Sequence, residues 1–169
     1  MSARAAWRLE TIGFSRVFRY TAGKAEWFAN GLPRAGSQAT IPRAGDVAQQ
    51  AVPTCSPTDL ATAVRAQLEA RGEPLALVVT AERVVVGCVL LTALPAAGDT
   101  SVEALMEPGP ATTRSNVPLA EIAARLRQRE VASVIVTDTD GRLIGSLRRE
   151  DAERRLLGQP LPARPADPR

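Results

Sequence analysis

A chain of 169 residues with 45% apolar content can build the core of one domain or of two small halves, and it contains no apolar run of the roughly eighteen residues that a bilayer span requires. It has no histidine, which excludes Ser-His-Asp and Cys-His catalysis and the common His-bearing zinc and iron sites, and leaves carboxylates, Lys24, Tyr20 and hydroxyls as conceivable catalytic groups. The net charge of +3 is distributed as +4 over residues 1–36, −3 over 37–151 and +2 over 152–169, so basic ends flank a mildly acidic centre and the pattern argues against a nucleic-acid partner.

The start, MSARAAWRLE, carries arginines and lacks the apolar stretch of a secretory signal, so a cytoplasmic protein is expected, with no membrane partner. Residues 1–36 hold Trp7, Phe14, Phe18 and Trp27, most of the aromatic residues in the chain. A Gly/Pro/Ser linker, 37–45, follows the leader, and a Pro-rich tail without core-forming residues closes the chain at 158–169. Cys55 and Cys88 lie 33 positions apart with no CxxC, which suits a reducing compartment and gives no metal-ligand spacing.

Between linker and tail the chain reads as one unit written twice. VVVGCVLLTAL at 84–94 falls on RLIGSLRREDA at 142–152, with Gly87 over Gly145 at an offset of 58. Upstream, VPTCSPTDLATAVRAQL falls on GPATTRSNVPLAEIAARL with Leu60 over Leu119 at an offset of 59, and LVVT falls on VIVT. Leu60, Val64 and Leu68 recur every four residues, while Leu119, Ile122 and Leu126 recur at three and four, so each copy contains a helix with one buried stripe. Arg65, Arg125 and Arg129 are then expected to face water. LALVV and VVVGCVLL, like SVIV and RLIGSL, are short and β-branched, and Asp140-Gly141 supplies a residue tolerant of positive φ for the second hairpin turn. The expected fold is α+β: two β-α-β-β-α repeats, 46–98 and 99–157, packed as a single pseudo-twofold body. Leu60, Leu68, Leu119, Leu126, Val134 and Leu143 are expected in its core.

The residues SVEALM, then VASVIVTDTDGRLIGSLRREDAERRL, resemble a CBS domain (cystathionine-β-synthase domain), and the doubled pattern resembles a tandem CBS pair, or Bateman module, over roughly 46–157. The resemblance implies a regulatory module that binds AMP, ADP, ATP or S-adenosylmethionine between its copies, dimerises, and has no catalysis of its own. The family's ligand site uses a Gly-hydrophobic-hydrophobic-Thr/Ser-x-x-Asp run, in which a helix N-terminus and a hydroxyl meet phosphate and the carboxylate accepts bonds from ribose hydroxyls. Here that run is Gly145-Ser146-Leu147-Arg148-Arg149-Glu150-Asp151, with Arg148 where the hydroxyl is expected. In the first copy the matching positions are Leu90 and Ala93, so one site per chain is expected. The resemblance therefore implies Asp151, Arg148 and Ser146 as ligand-binding residues, with adenine against Thr112, Thr113 and the backbone around Ala132 and Ser133. Two bland roles stay open: Arg148 as a solvated helix shoulder and Asp151 as a helix N-cap or first-turn acid. A ligand-free dimerisation module with degenerate clefts is the alternative for the whole.

The leader IGFSRVFRYTAGKAEWFANGLP resembles the closing strand and last helix of a rhodanese domain, at Gly13-Phe14, Val17, Ala22-Gly23-Lys24, Trp27 and Gly31-Leu32-Pro33. It implies a remnant, 1–36, without the cysteine loop that receives sulfur, so sulfurtransferase activity is not expected. Either the chain descends from a fusion that lost its front, or the true start lies upstream. The plain alternative is an amphipathic leader that packs its aromatic residues elsewhere.

Overall fold

A computed structural model describes residues 3–18, 23–29, 32–37 and 39–162. In chain order the elements are α1 (Ala3–Thr11), α2 (Gly23–Ala29), α3 (Ala44–Val47), β1 (Thr54–Cys55), α4 (Ala61–Arg71), β2 (Leu75–Val79), β3 (Val85–Leu90), β4 (Glu107–Pro108), β5 (Thr112–Arg114), α5 (Leu119–Gln128), β6 (Ser133–Thr137), β7 (Leu143–Arg148) and α6 (Arg149–Leu156). They form two sheets, β1-β2-β3-β4 and β5-β6-β7, in each of which a parallel pair is followed by an antiparallel hairpin.

The two halves superimpose in register at a constant offset of 58. Leu75 pairs with Leu90 and Ser133 with Arg148, and a bulge falls at the same place in each hairpin, between Val78 and Val79 and between Val136 and Thr137. The helices obey the same offset, because α4 begins after Leu60 and α5 after Pro118. The sequence alignment of Leu60 with Leu119, and of LVVT with VIVT, is thus slipped by one residue in opposite senses. Leu60 is 47% exposed, because it precedes the helix with extended backbone. Ala61, not Leu60, opens the buried stripe that continues at Val64 and Leu68, matched by Leu119, Ile122 and Leu126. Val134 is half-buried beside the second core, while Leu68, Leu119, Leu126 and Leu143 are buried as expected.

Local chemistry sets the turns. Asp138 Oδ1 accepts from the backbone N–H of Asp140 and of Arg142, closing the second hairpin around Gly141, whose φ is 83°. In the first half the closing helix shrinks to a single 3-10 turn, Leu91–Ala93. Pro95 follows and holds Leu94 in extended backbone (φ −84°, ψ 126°), so the helix cannot continue.

Two segments are exchanged between the halves. Around the start of the first repeat, α3 and the residue that follows it bury Ala44, Val47 and Ala48 among Leu119, Ile122 and Leu147 of the second half. At the start of the second repeat, Val102 enters the core of the first half beside Val64, Leu68 and Val89. The hydrogen bonds repeat at the same offset: Ala44 N–H to Val117 O and Gly45 N–H to Ser115 O on one side, Val102 N–H to Asp59 O and Glu103 N–H to Pro57 O on the other. The exchanged strands cross the repeat glycines: a Cβ on Gly145 would overlap the Gln49 carbonyl, and one on Gly87 would lie 2.8 Å from Met106 Sδ and 3.0 Å from Glu107 O.

The leader packs little of its apolar surface. Trp7, Phe14 and Phe18 are exposed, the last to 78%, while Ala6 is buried. Arg34 ties the leader to Asp46 at 2.8 Å, and Trp27 Nε1 donates to Pro33 O at 2.8 Å. Among the residues that suggested a rhodanese ending, Ala22 and Gly31 lie outside the described residues. So does the tail from 163 onward.

Candidate functional site

A cleft of about 440 Å³ opens where the two hairpins approach each other on the pseudo-twofold axis. Leu75 and Ser133, Leu77 and Ile135, and Cys88 and Ser146 face it as pairs related by the offset of 58. The symmetry of position is broken by chemistry. Ser133, Ser146 and Arg148 add polar groups beside Val134 and Ile135 on the second-half side, while the first-half side presents Leu75, Leu77 and Cys88, with Glu73 also lining it. Burial, and secondarily the charge of Glu107, pushes the Cys88 thiol upward, so it faces the cleft as a neutral group.

Arg148 ends β7 and pairs in register with Ser133 at the start of β6. Its guanidinium is exposed and approaches Glu150 at 4.0 Å, a loose surface pair that leaves it free to turn toward an anion. A second opening of about 370 Å³ continues along the same edge and is lined by Ala132, Ser133, Arg148, Arg149 and Glu150. The Arg149 N–H donates to Ala132 O at 2.8 Å, which fixes the start of α6 against the start of β6.

Of the residues expected at the site, Ser133, Ser146 and Arg148 come together at the central cleft, and Ala132 joins Ser133 and Arg148 at the second opening. Thr112 and Thr113 point to different surroundings. Thr112 is exposed, whereas Thr113 is buried and its Oγ1 accepts from Arg125 Nη2 at 2.8 Å. Arg125 is half-buried by that contact, Arg65 is half-buried where it donates to Leu94 O at 2.6 Å and pairs with Glu69, and Arg129 is exposed.

Asp151 is 2% exposed in the first turn of α6, and its Oδ2 accepts from Gln49 Nε2 at 2.6 Å. Gln49 itself lines the central cleft and exchanges backbone hydrogen bonds with Ser146 at 2.7 and 2.8 Å. One amide thus connects the cleft to the buried carboxylate. The sequence reading passed over Gln49, although the repeat held a signal: its mate at the offset of 58 is Glu107, which pairs with Cys88 as Gln49 does with Ser146. In the first half Ala93, the mate of Asp151, is exposed, because the 3-10 turn there never grows into a helix.

Comparison with known proteins gives this geometry its place. Residues 102–158 match the CBS domain family model. The fold is that of a CBS pair. CBSX2 of Arabidopsis thaliana in complex with AMP aligns with a TM-score of 0.58 at 23% identity, over 69% of this chain and 97% of that one. The CBS domain pair of MJ0100, in complex with 5′-methylthioadenosine and S-adenosyl-L-methionine, aligns with a TM-score of 0.53 at 18% identity, over 70% and 98%. The cytosolic domain of the Mg2+ channel MgtE in complex with ATP gives a TM-score of 0.57 at 21% identity over 66% of this chain, which spans 48% of that domain. No curated protein sequence matches the chain. Among the described residues no helix is long and apolar enough to cross a membrane.

Proposed function

We propose that the chain is a regulatory CBS-pair module that takes one adenosine-type ligand, AMP, ADP, ATP or S-adenosylmethionine, in the cleft between its halves and catalyses no reaction itself. The observation that carries this reading is the split character of the cleft. Leu75 and Leu77 offer an apolar wall of the kind a purine face packs on, and Ser133, Ser146 and Arg148 offer donors to a ribose phosphate in the same cleft, which Glu73 also lines. That solved CBS pairs of the same fold were crystallised with AMP, ATP and S-adenosyl-L-methionine supports the ligand class. Asp151 is assigned to the ribose hydroxyls, which would take the place of the Gln49 amide on its carboxylate. Two such modules are proposed to pair as a homodimer, the usual assembly of the family. Residues 1–36 are read as a rhodanese remnant, a reading supported by the sequence resemblance alone.

Calorimetric titration of the full chain with adenosine, AMP, ADP, ATP and S-adenosylmethionine tests the assignment. One ligand per chain is expected, with Arg148→Ala weakening ATP about tenfold or more and leaving adenosine nearly unchanged, since a charge-assisted bond is worth about 1.5–3 kcal/mol. Asp151→Asn is expected to weaken all of them. Two sites per chain, or affinity indifferent to phosphate number, contradicts the proposal. A second reading, a dimerisation module that binds no ligand, is favoured by the closed Gln49–Asp151 contact and by Leu90 and Ala93 in the first half. It is the outcome if no adenosine compound binds.

A further inference from the structure

A separate cavity of about 420 Å³ shares the Ala51–Val52 wall with the central cleft and is lined further by Gln50, Thr54, Arg71 and Arg83, with Leu143 and Ile144 from the second half. No carboxylate lines it. Arg71 stands in the last turn of α4 and Arg83 at the β2–β3 turn, so the two ends of the β2 segment bring two guanidiniums to one opening, closed on the other side by Leu143 and Ile144. Among the described residues neither guanidinium makes an ion pair or a side-chain hydrogen bond, in contrast to Arg34, Arg65, Arg125 and Arg127. Glu26, Glu82, Asp138 and Arg142 border the next hollow along, which Arg83 also touches.

Arg83 carries an independent mark. Its φ is 64°, in the left-handed region where a side chain is disfavoured, and its mate in the second half is Gly141 at φ 83°. The same turn therefore forms with glycine, and the backbone gains nothing from an arginine. The cost of that conformation is offset if the side chain has work to do in the cavity. Two guanidiniums, a hydroxyl and a carboxamide, with no acid among them, match the oxygens of a multiply charged tetrahedral anion.

We propose that this cavity is a binding site for a phosphate-class oxyanion, held by Arg71 and Arg83 and distinct from the adenosine cleft. The site does not depend on whether adenosine binds.

Pyrophosphate titrated into the full chain at low salt, alone and with saturating adenosine, is the test. Arg83→Gly, which installs the residue found at the twin position, is expected to weaken pyrophosphate about tenfold with an unchanged or higher melting temperature. Arg71→Gln is expected to weaken it to a similar extent, and Arg148→Ala to leave it unchanged. Binding should also weaken as ionic strength rises. Adenosine binding, read separately, stays intact in both cavity variants and reports on the cleft alone. The proposal is overturned by absence of pyrophosphate binding to the unaltered chain. It is equally overturned if Arg148→Ala abolishes binding while the cavity variants do not, or if Arg83→Gly weakens only ATP, which would make Arg83 a contact for the nucleotide tail.

Discussion

Gly145 and Gly87 are the residues on which each half receives the other's leading segment. With the Gln49 carbonyl against Gly145 Cα, any side chain there displaces backbone rather than a flexible tip. Gly145→Ala is therefore expected to destabilise by about 2 kcal/mol or more, and Gly87→Ala by less, since Met106 Sδ can move aside. Urea unfolding of the two variants ranks them, and equal costs would mean that the close approach is not what fixes Gly145. Cys55 offers a pH handle. Burial, then the charge of Asp59, pushes its thiol from 9.0 to about 11. Below pH 9 folded and unfolded chains both hold the proton and stability is complete; between 9 and 11 the unfolded chain loses it first, so stability falls by up to about 1.4 kcal/mol per pH unit. Chemical denaturation at pH 8 and pH 10.5 should show this drop, and Cys55→Ala should remove most of it.

At the scale of elements the exchanged segments matter most. The fully buried Ala44 and Val47 lie on either side of residue 46, where the sequence places the start of the first repeat, and they complete the core of the second. A fragment 40–158 is expected to unfold cooperatively with nearly the stability of the full chain, because α1 leaves Trp7 and Phe14 exposed and contributes little. A fragment 49–158 loses Ala44, Val47 and Ala48 and should be at least about 3 kcal/mol less stable. Equilibrium urea curves of the two fragments decide this: equal midpoints would show that α3 is dispensable. The leader reaches the body through the Arg34–Asp46 pair, so the first proteolytic cuts should fall between Arg34 and Arg43.

On the scale of the whole molecule, the repeat makes a symmetric frame that different side chains then specialise. Hairpin tips meet across the axis, where Val85 N–H donates to Gly141 O and Leu143 N–H to Arg83 O. At the cleft Leu75 is matched by Ser133 and Cys88 by Ser146, so a duplicated backbone supplies one chemically asymmetric cleft. The pair of guanidiniums at Arg71 and Arg83 is not repeated in the second half: the mate of Arg71 is Arg129, but that of Arg83 is Gly141. Ligand stoichiometry read on the full chain belongs to this scale.

The sequence by itself determined the repeat, the two hairpins and the stripes of α4 and α5, because apolar period and turn chemistry act over a few residues. Asp138, Asp140 and Gly141 dictate their turn locally. The resemblance to a CBS domain pointed to Ser133, Ser146 and Arg148, and strand pairing inside one hairpin brings these three to a shared edge. Only the tertiary structure decided which half each leading segment completes, since Val47 is equally apolar against either core and the choice lies in how two surfaces fit. It likewise decided the state of Asp151: its partner Gln49 stands 102 residues away, and no local pattern foretells a hydrogen bond between the two ends of a duplicated unit.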